Sequence, residues 1–290
     1  MSTMQSNVSL IQKLVALLSM MRLPNCLMIG FAVVVGELLA SAAVPIRSAV
    51  YGFLTGFLLL SASMVLNDYF DREIDAVNDP TRPIPSGVVG SSEALSFALF
   101  LGSLGIFFSV YTGTITLLIA FISLAIAVSY NAKLKKTGLL GNALVSTNVA
   151  VPFVYGGFAV GSPSWPLGIF ALLAFLSNVG REIMKGIVDV PGDTARGVKS
   201  IAATKGNGSA AKYAAAFFLV AVALSTLPLA LGLVTIFYGY VPLVVICDLG
   251  FLLTVYSLFS NSSPRNAKRN KKYVLVWMTF GLLAFLLGTI

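Results

Sequence analysis

The acidic residues between positions 67 and 87 have the types and spacing to hold metal ions. Five of the eleven Asp and Glu residues of the chain lie here, directly after a long apolar run. If that run continues as a helix, Asn67, Asp71 and Asp75 share one helix face, which Asp68 flanks. Crowded carboxylates need cations between them, and oxygen ligands suit Mg²⁺, which keeps positions for water and phosphate. The pattern predicts a Mg²⁺–phosphate site at a helix end.

A second charged group follows about a hundred residues later. Three of its members step by four along one predicted helix face: Arg181, Lys185 and Asp189. Pro191 and Gly192 are predicted to end this helix, which places Asp193 on a turn. Two acidic clusters bridged by Mg²⁺ and flanked by Arg and Lys would bind a diphosphate. An uncharged groove between the helices would hold a hydrocarbon tail, so the predicted ligand is a polyprenyl diphosphate.

The elements that must position these residues are membrane helices. The chain of 290 residues is 57% hydrophobic and only 10% charged, whereas soluble domains carry about 25% charged residues. A span needs about 20 apolar residues. Nine spans are predicted, at Asn25–Val44, Ser48–Leu66, Ser92–Tyr111, Thr114–Tyr130, Leu140–Val160, Pro166–Ile183, Ala210–Leu227, Leu233–Phe259 and Tyr273–Ile290. The prediction is an all-α bundle of nine transmembrane helices, one domain over residues 1–290.

Three apolar runs are too long for one helix and are divided where turn residues occur. The predicted breaks are at Thr112–Thr114, at Gly161–Pro166 and near Pro228 and Gly232. With these breaks, successive loops alternate between the two sides of the membrane and the basic segments fall on the same side.

The distribution of positive charge predicts the orientation of the bundle. Eighteen of the nineteen Lys and Arg residues fall on one side, and Arg47 falls on the other. By the positive-inside rule we expect a multi-pass protein of the cell membrane with its N-terminus and Asp-rich loops (residues 67–91 and 184–209) in the cytoplasm and its C-terminus outside. The net charge of +8 then reflects topology and not nucleic-acid binding. Residues 1–24 are predicted to form an interfacial helix. They are not predicted to be a removable signal peptide.

Residue types also exclude some chemistry. The chain has no histidine, which excludes histidine acid–base catalysis and histidine metal ligands. Cys26 and Cys247 lie in apolar runs and predict no disulfide. Two acids inside predicted spans, Glu37 and Asp248, have no evident partner and receive no role. The Lys and Arg residues at 265–272 are interpreted as topology anchors.

The acidic motifs resemble those of a known family. Asn67-Asp68-x-x-Asp71-x-x-x-Asp75, followed by Arg82-Pro83-x-Pro85-Ser86-Gly87, is similar to the first signature of the UbiA superfamily of intramembrane prenyltransferases. Asp189-x-x-x-Asp193 resembles the second signature. The resemblance covers nearly the whole chain and implies a UbiA-type all-α fold, Mg²⁺ as cofactor, and transfer of an isoprenoid from its diphosphate to an acceptor.

Two further segments resemble one branch of the superfamily. They are Gly180-Arg181-Glu182-Ile183-x-Lys185 and Tyr130-Asn131-x-Lys133-Leu134-Lys135, and they are most similar to archaeal digeranylgeranylglyceryl phosphate synthases. This implies that a geranylgeranyl group is added to geranylgeranylglyceryl phosphate in ether-lipid synthesis. The alternatives are an aromatic acceptor, such as 4-hydroxybenzoate or another quinone precursor, and, outside enzymes, an ion-coupled transporter. The expected partners are a polyprenyl diphosphate, a lipid-linked or aromatic acceptor and the lipid bilayer.

The mechanism implied by the resemblance assigns a role to each candidate residue. Catalysis and metal binding are predicted for Asp68, Asp71, Asp75, Asp189 and Asp193, with Asn67 as a further metal ligand. Diphosphate binding is predicted for Arg72, Arg82, Lys133, Lys135 and Lys185. Arg22 and Asn25 are predicted to hold the acceptor head, and Tyr69 and Tyr130 to stabilise the allylic cation.

Overall fold

A computed structural model describes residues 9–195 and 197–288, except for the side chains of Val77 and Asn78. Over these residues the chain consists of helices and short connections. The helices are α1 Leu10–Met21, α2 Leu23–Ala40, α3 Ile46–Asn78, α4 Ser91–Val110, α5 Thr114–Ala132, α6 Leu139–Ala159, α7 Pro166–Ala195, α8 Ile201–Lys205, α9 Asn207–Leu224, α10 Leu227–Ala230, α11 Phe237–Ser260 and α12 Pro264–Leu287, with a 3₁₀ turn at Leu134–Thr137. The predicted all-α class is confirmed for this part of the chain.

Nine segments of the described chain are long and apolar enough to cross a membrane. They are α2 to α7, α9 together with α10, α11, and α12. The predicted number of spans is therefore confirmed. The breaks between α4 and α5 and between α6 and α7 are also confirmed, and each contains a glycine in the left-handed region, Gly113 (φ 127°) and Gly161 (φ 69°).

The spans form a ring around a central cavity. Each span contacts the next one along the chain, and α12 contacts α2, which closes the ring. Contacts between α2 and α6 and between α7 and α12 cross the ring. Because successive spans alternate in direction, the ends of α3, α5 and α7 and the starts of α2, α6 and α12 lie at one end of the bundle. This end carries both acidic motifs.

The two helices that carry the acidic motifs are longer than predicted. The predicted spans ended at Leu66 and Ile183, with Asp-rich segments after them, but α3 continues to Asn78 and α7 to Ala195. The stretch from Phe57 to Asn78 contains no Gly or Pro, so nothing interrupts the helix there. Helix α3 ends just before Pro80, because a proline disfavours the helical conformation of the residue that precedes it. The predicted helix end at Pro191 is wrong, since Pro191 lies inside α7. A proline removes one backbone hydrogen bond, which a packed membrane helix tolerates.

The basic segment before the last span is helical too. We expected a loop that ends near Tyr273, whereas α12 begins at Pro264. The start is explained locally, because Ser263 caps the helix through the backbone N–H of Asn266 at 3.4 Å and Pro264 occupies the first turn. One face of the basic run is thereby turned toward the ring.

Helix α1 precedes the ring and exposes apolar side chains. Leu10, Ile11, Leu14 and Val15 are all more than half exposed, while Met20 and Met21 are buried against α3 and the loop before α4. This pattern suits a helix that lies at a membrane surface. The interfacial position of the N-terminal segment stays a prediction, and residues 1–8 lie outside the described residues.

Helices α2 and α6 pack backbone against backbone in the ring. A Cβ atom added at Gly156 would overlap the backbone atoms of Val33 and Glu37, and one added at Gly36 would overlap the backbone of Phe153. Glycine is needed at both positions because nothing larger than hydrogen fits.

The substitution Gly156→Ala should therefore lower stability by about 1–3 kcal/mol, since α2 and α6 must move apart to admit the methyl group. The melting temperature of the purified protein in detergent measures the effect. Gly168→Ala in α7 is the matched control, as an added Cβ there meets no atom within 4 Å. An equal melting temperature for Gly156→Ala and wild type would contradict the close approach.

Candidate active site

The first acidic motif lies on the last turns of α3 and faces the interior of the ring. Asn67, Asp71 and Asp75 line a cavity of about 690 Å³. Their spacing of four residues along one helix face was predicted from the sequence, and the shared cavity agrees with it. Asp68 is buried but does not line the cavity.

Asp68 binds two arginines from other parts of the chain. Arg22 Nη2 lies 2.7 Å from Asp68 Oδ1, and Arg82 Nη1 lies 3.7 Å from the same oxygen. Arg22 occupies the single residue between α1 and α2 in a left-handed conformation, with φ 55°, and its guanidinium also donates to Asn67 Oδ1 at 3.4 Å. Arg22 is thus engaged by the first motif.

Arg82 returns from the loop after α3 to the same carboxylates. Its Nη1 lies 2.5 Å from Asp75 Oδ2, and its Nε lies 3.9 Å from Asp79 Oδ2. Partial burial opposes its charge, but the carboxylates of Asp75 and Asp68 outweigh burial and raise the pKa of Arg82. The hydroxyl of Thr81 donates to Asp79 and lowers the pKa of that exposed carboxyl. The loop is thereby held against the end of α3.

Lys135 connects the two acidic motifs. Its Nζ lies 2.5 Å from Asp71 Oδ2, and its charge also acts on Asp193. The 3₁₀ turn that carries Lys135 is fixed to the segment after α7, because the backbone N–H of Lys199 donates to the carbonyl of Lys136 at 3.1 Å. The two motifs therefore meet at one place although more than a hundred residues separate them.

The second motif lies on the last turns of α7. Asp189 is exposed, Asp193 is half-buried, and both line the same cavity as the first motif. Two turns before Asp189, the buried carboxylate of Glu182 accepts from Arg181 Nη1 at 3.2 Å and from Lys185 Nζ at 3.1 Å. Because α7 does not end at Pro191, Asp193 is presented by a helix and not by a turn.

The cavity is charged at the end with the acidic motifs and uncharged and largely apolar in its depth. Leu59, Leu124 and Val149 line the deeper part. Tyr155 also lines the cavity, and its hydroxyl lies 2.6 Å from that of Thr112.

Tyr130 and Asn25, which were predicted to stabilise the cation and to bind the acceptor, also line the cavity.

Besides Asp68, three predicted site residues do not line the cavity. They are Tyr69, Arg72 and Lys133. The guanidinium of Arg72 lies 4.7 Å from the centre of the Tyr69 ring and donates to the carbonyl of Tyr69 at 2.8 Å, so these two residues contact each other. Lys133 is exposed at the end of α5. Arg72 and Tyr69 are therefore positioned by their contact with each other and not by the cavity.

One cavity residue was missed by the sequence analysis. Lys271 lines the cavity together with Leu275 and Met278, whereas the neighbouring Lys268 and Lys272 are exposed. The spacing of four and three residues is that of one helix face, and it would have identified Lys271 if the segment had been treated as helical.

Glu37 and Asp248, the two acids that received no role from the sequence, each accept a hydrogen bond from a serine. Glu37 is buried, accepts from Ser48 Oγ at 2.9 Å, and has its second oxygen without a hydrogen-bond partner. Asp248 accepts from Ser225 Oγ at 2.7 Å and lines a smaller, apolar cavity of about 80 Å³ beside the first one.

The residues of the larger cavity fit magnesium by their donor atoms. Within residues 9–195 and 197–288, no three acidic or cysteine side chains form a compact metal cluster. The carboxylates of Asp68, Asp71 and Asp75 each form an ion pair with an Arg or Lys side chain instead. The cavity nevertheless presents oxygen donors from both motifs, namely Asn67, Asp71, Asp75, Asp189 and Asp193. Hard oxygen donors from separate helices, with room for a phosphate between them, suit Mg²⁺.

Known proteins are similar to this chain in sequence and in fold. Digeranylgeranylglyceryl phosphate synthase of Methanopyrus kandleri is 36% identical over 271 residues, which cover 93% of this chain and 98% of the relative. A solved digeranylgeranylglyceryl phosphate synthase structure superposes with a TM-score of 0.74 at 32% identity, covering 96% of this chain and 99% of that chain. A UbiA homologue from Archaeoglobus fulgidus, solved with GPP and Mg²⁺, has a TM-score of 0.67 at 18% identity, covering 94% and 99%, and shares the fold.

The family comparison agrees with the resemblance drawn from the two acidic motifs. Residues 29–287 match the UbiA prenyltransferase family, a range that contains both motifs and all nine spans except the first turns of α2. The predicted family and the UbiA-type fold are confirmed, and this chain belongs to the UbiA prenyltransferase family.

Proposed function

We propose that this protein transfers a geranylgeranyl group from its diphosphate to geranylgeranylglyceryl phosphate and so forms digeranylgeranylglyceryl phosphate. The observation that carries the proposal is that both acidic motifs line one cavity whose depth is apolar. Such a cavity accommodates a charged diphosphate and an attached hydrocarbon chain together. The named relatives, similar over more than 90% of this chain, support this acceptor.

The metal cofactor is Mg²⁺. Asp71, Asp75, Asp189 and Asp193 would hold it, with Asn67 as a further oxygen donor. When bound with the substrate, Mg²⁺ neutralises the diphosphate and makes it a better leaving group. Asp68 is a positioning residue in this scheme, since its carboxylate holds Arg22 and Arg82.

The chain itself supplies the remaining parts of the reaction. Arg82 and Lys135 point their cations at the end of the cavity where the diphosphate would lie and would bind its oxygens as the allylic C–O bond breaks. Tyr130 would face the resulting allylic cation. The apolar depth of the cavity excludes water, which would otherwise capture the cation in place of the acceptor.

The orientation of the protein follows from its charges. We infer that the acidic motifs face the cytoplasm of the cell and that the C-terminus lies outside. The helix ends around the motifs carry nearly all of the Lys and Arg residues, and Arg47 lies at the opposite end of α3.

Purified protein should alkylate geranylgeranylglyceryl phosphate with labelled geranylgeranyl diphosphate in the presence of Mg²⁺, and chelation by EDTA should abolish the product. Product analysis by chromatography measures both. Supplying 4-hydroxybenzoate in place of the lipid is the matched acceptor control. Alkylation of 4-hydroxybenzoate alone would overturn the proposed acceptor, and transfer that continues after chelation would overturn the cofactor.

The substitution Asp71→Asn should lower kcat at least about 100-fold, because it removes a carboxylate that would hold the Mg²⁺ needed to neutralise the leaving diphosphate. Glu73→Gln is the matched control: Glu73 is exposed on the same helix, and its ion pair with Arg72 at 3.5 Å is a surface contact. Normal turnover by correctly folded Asp71→Asn protein would refute the scheme.

Cysteine labelling tests the orientation, since both native cysteines are buried. In right-side-out vesicles, an impermeant maleimide should label Arg47→Cys directly and Lys268→Cys only after permeabilisation. Both positions are exposed. The reverse pattern of labelling would invert the proposed topology.

A further inference from the structure

A second group of cations lines the cavity on the wall formed by α7 and α12. Its members are Arg181, Lys185 and Lys271. Arg181 and Lys185 share the single carboxylate of Glu182. Lys271 has no carboxylate within 4 Å among the described residues, although the charges of Lys185, Arg181 and Asp189 act on it. The Nε atom of Arg181 is buried and has no hydrogen-bond partner within residues 9–195 and 197–288, so this wall has donors available for an anion.

The cations on the opposite wall are already engaged. Arg22, Arg82 and Lys135 lie 2.5 to 2.7 Å from Asp68, Asp75 and Asp71. Three cations face three carboxylates there, so that wall offers little net charge to an anion unless a metal is bound. Arg22, which the sequence analysis predicted to hold the acceptor head, is therefore a weaker candidate than the cations of α7 and α12.

The charge of the second group matches a phosphate monoester. Three cations and the carboxylate of Glu182 leave two positive charges, and a phosphate monoester carries about −1.5 to −2 at neutral pH. Asp189 and Asp193 also line the cavity near this group, and the proposed function gives both to the metal. We propose that Arg181, Lys185 and Lys271 bind the phosphate of the acceptor lipid, in a site separate from that of the donor diphosphate.

The apolar surface beside this group leads away from the acidic motifs. Leu275 and Met278 follow Lys271 along one face of α12 and line the cavity. Met278 also lines the smaller cavity, as do Met28 and Ile29. A lipid held by its phosphate at Lys271 would extend its hydrocarbon chain along this wall, while the donor chain occupies the depth near Tyr155. The two long chains would thus have separate paths.

Lys271→Gln tests this site, which rests on the proposed function. The KM for geranylgeranylglyceryl phosphate should rise about tenfold or more, since a charged donor is lost, while kcat and the KM for geranylgeranyl diphosphate change little. Lys272→Gln, which removes the same charge from an exposed neighbour, should behave like wild type. Lys271→Arg keeps the charge and should restore most of the acceptor affinity. An unchanged acceptor KM in Lys271→Gln, or a rise in the donor KM instead, would overturn the proposal.

A binding experiment separates this site from the reaction. Without donor, wild-type protein should bind geranylgeranylglyceryl phosphate more tightly than geranylgeranylglycerol, and Lys271→Gln should lose that preference. If the wild type binds the phosphate lipid with this preference but does not alkylate it, the proposed function fails and the site stands. If the wild type alkylates the lipid and Lys271→Gln keeps the preference, the site fails and the function stands.

Discussion

The structure depends on the neutralisation of three carboxylates that α3 places close together. Asp68, Asp71 and Asp75 would repel each other strongly at a membrane helix end, and their partners come from three other places: the junction of α1 and α2, the loop after α3, and the 3₁₀ turn after α5. Removing one partner of a buried ion pair typically costs about 3–5 kcal/mol, because a charge is left uncompensated. The same contacts that make the site thus fix the segments around the cavity entrance.

The cavity is consequently asymmetric. The wall of α3 balances its charges internally, whereas the wall of α7 and α12 carries an excess of cations around Glu182. Beyond both walls the lining becomes apolar. An enzyme that joins two amphiphilic substrates needs two places for charged heads and a dry place between them, and this distribution of charge provides both without any histidine.

Much of this arrangement could be predicted from the sequence, because membrane spans and helix faces are periodic. The spacing of Asn67, Asp71 and Asp75 predicted their common face, and hydrophobicity predicted nine spans. The helix ends were predicted less well. Pro191 was predicted to end α7, but the helix continues past it to Ala195. Lys271 was missed because the basic run was treated as a loop, whereas it belongs to α12 and shares a helix face with Leu275 and Met278. Arg72 shows the reverse error. It was predicted to bind the diphosphate because it lies near the first motif, but its side chain contacts Tyr69.

The junction between α1 and α2 has a further consequence. Arg22 alone separates the two helices and binds Asp68 at 2.7 Å, while α1 turns Leu10, Ile11 and Leu14 outward. Any movement of α1 relative to the ring would therefore displace this guanidinium directly, because no loop separates the two helices. The N-terminal helix is in this way mechanically coupled to the first acidic motif through a single side chain.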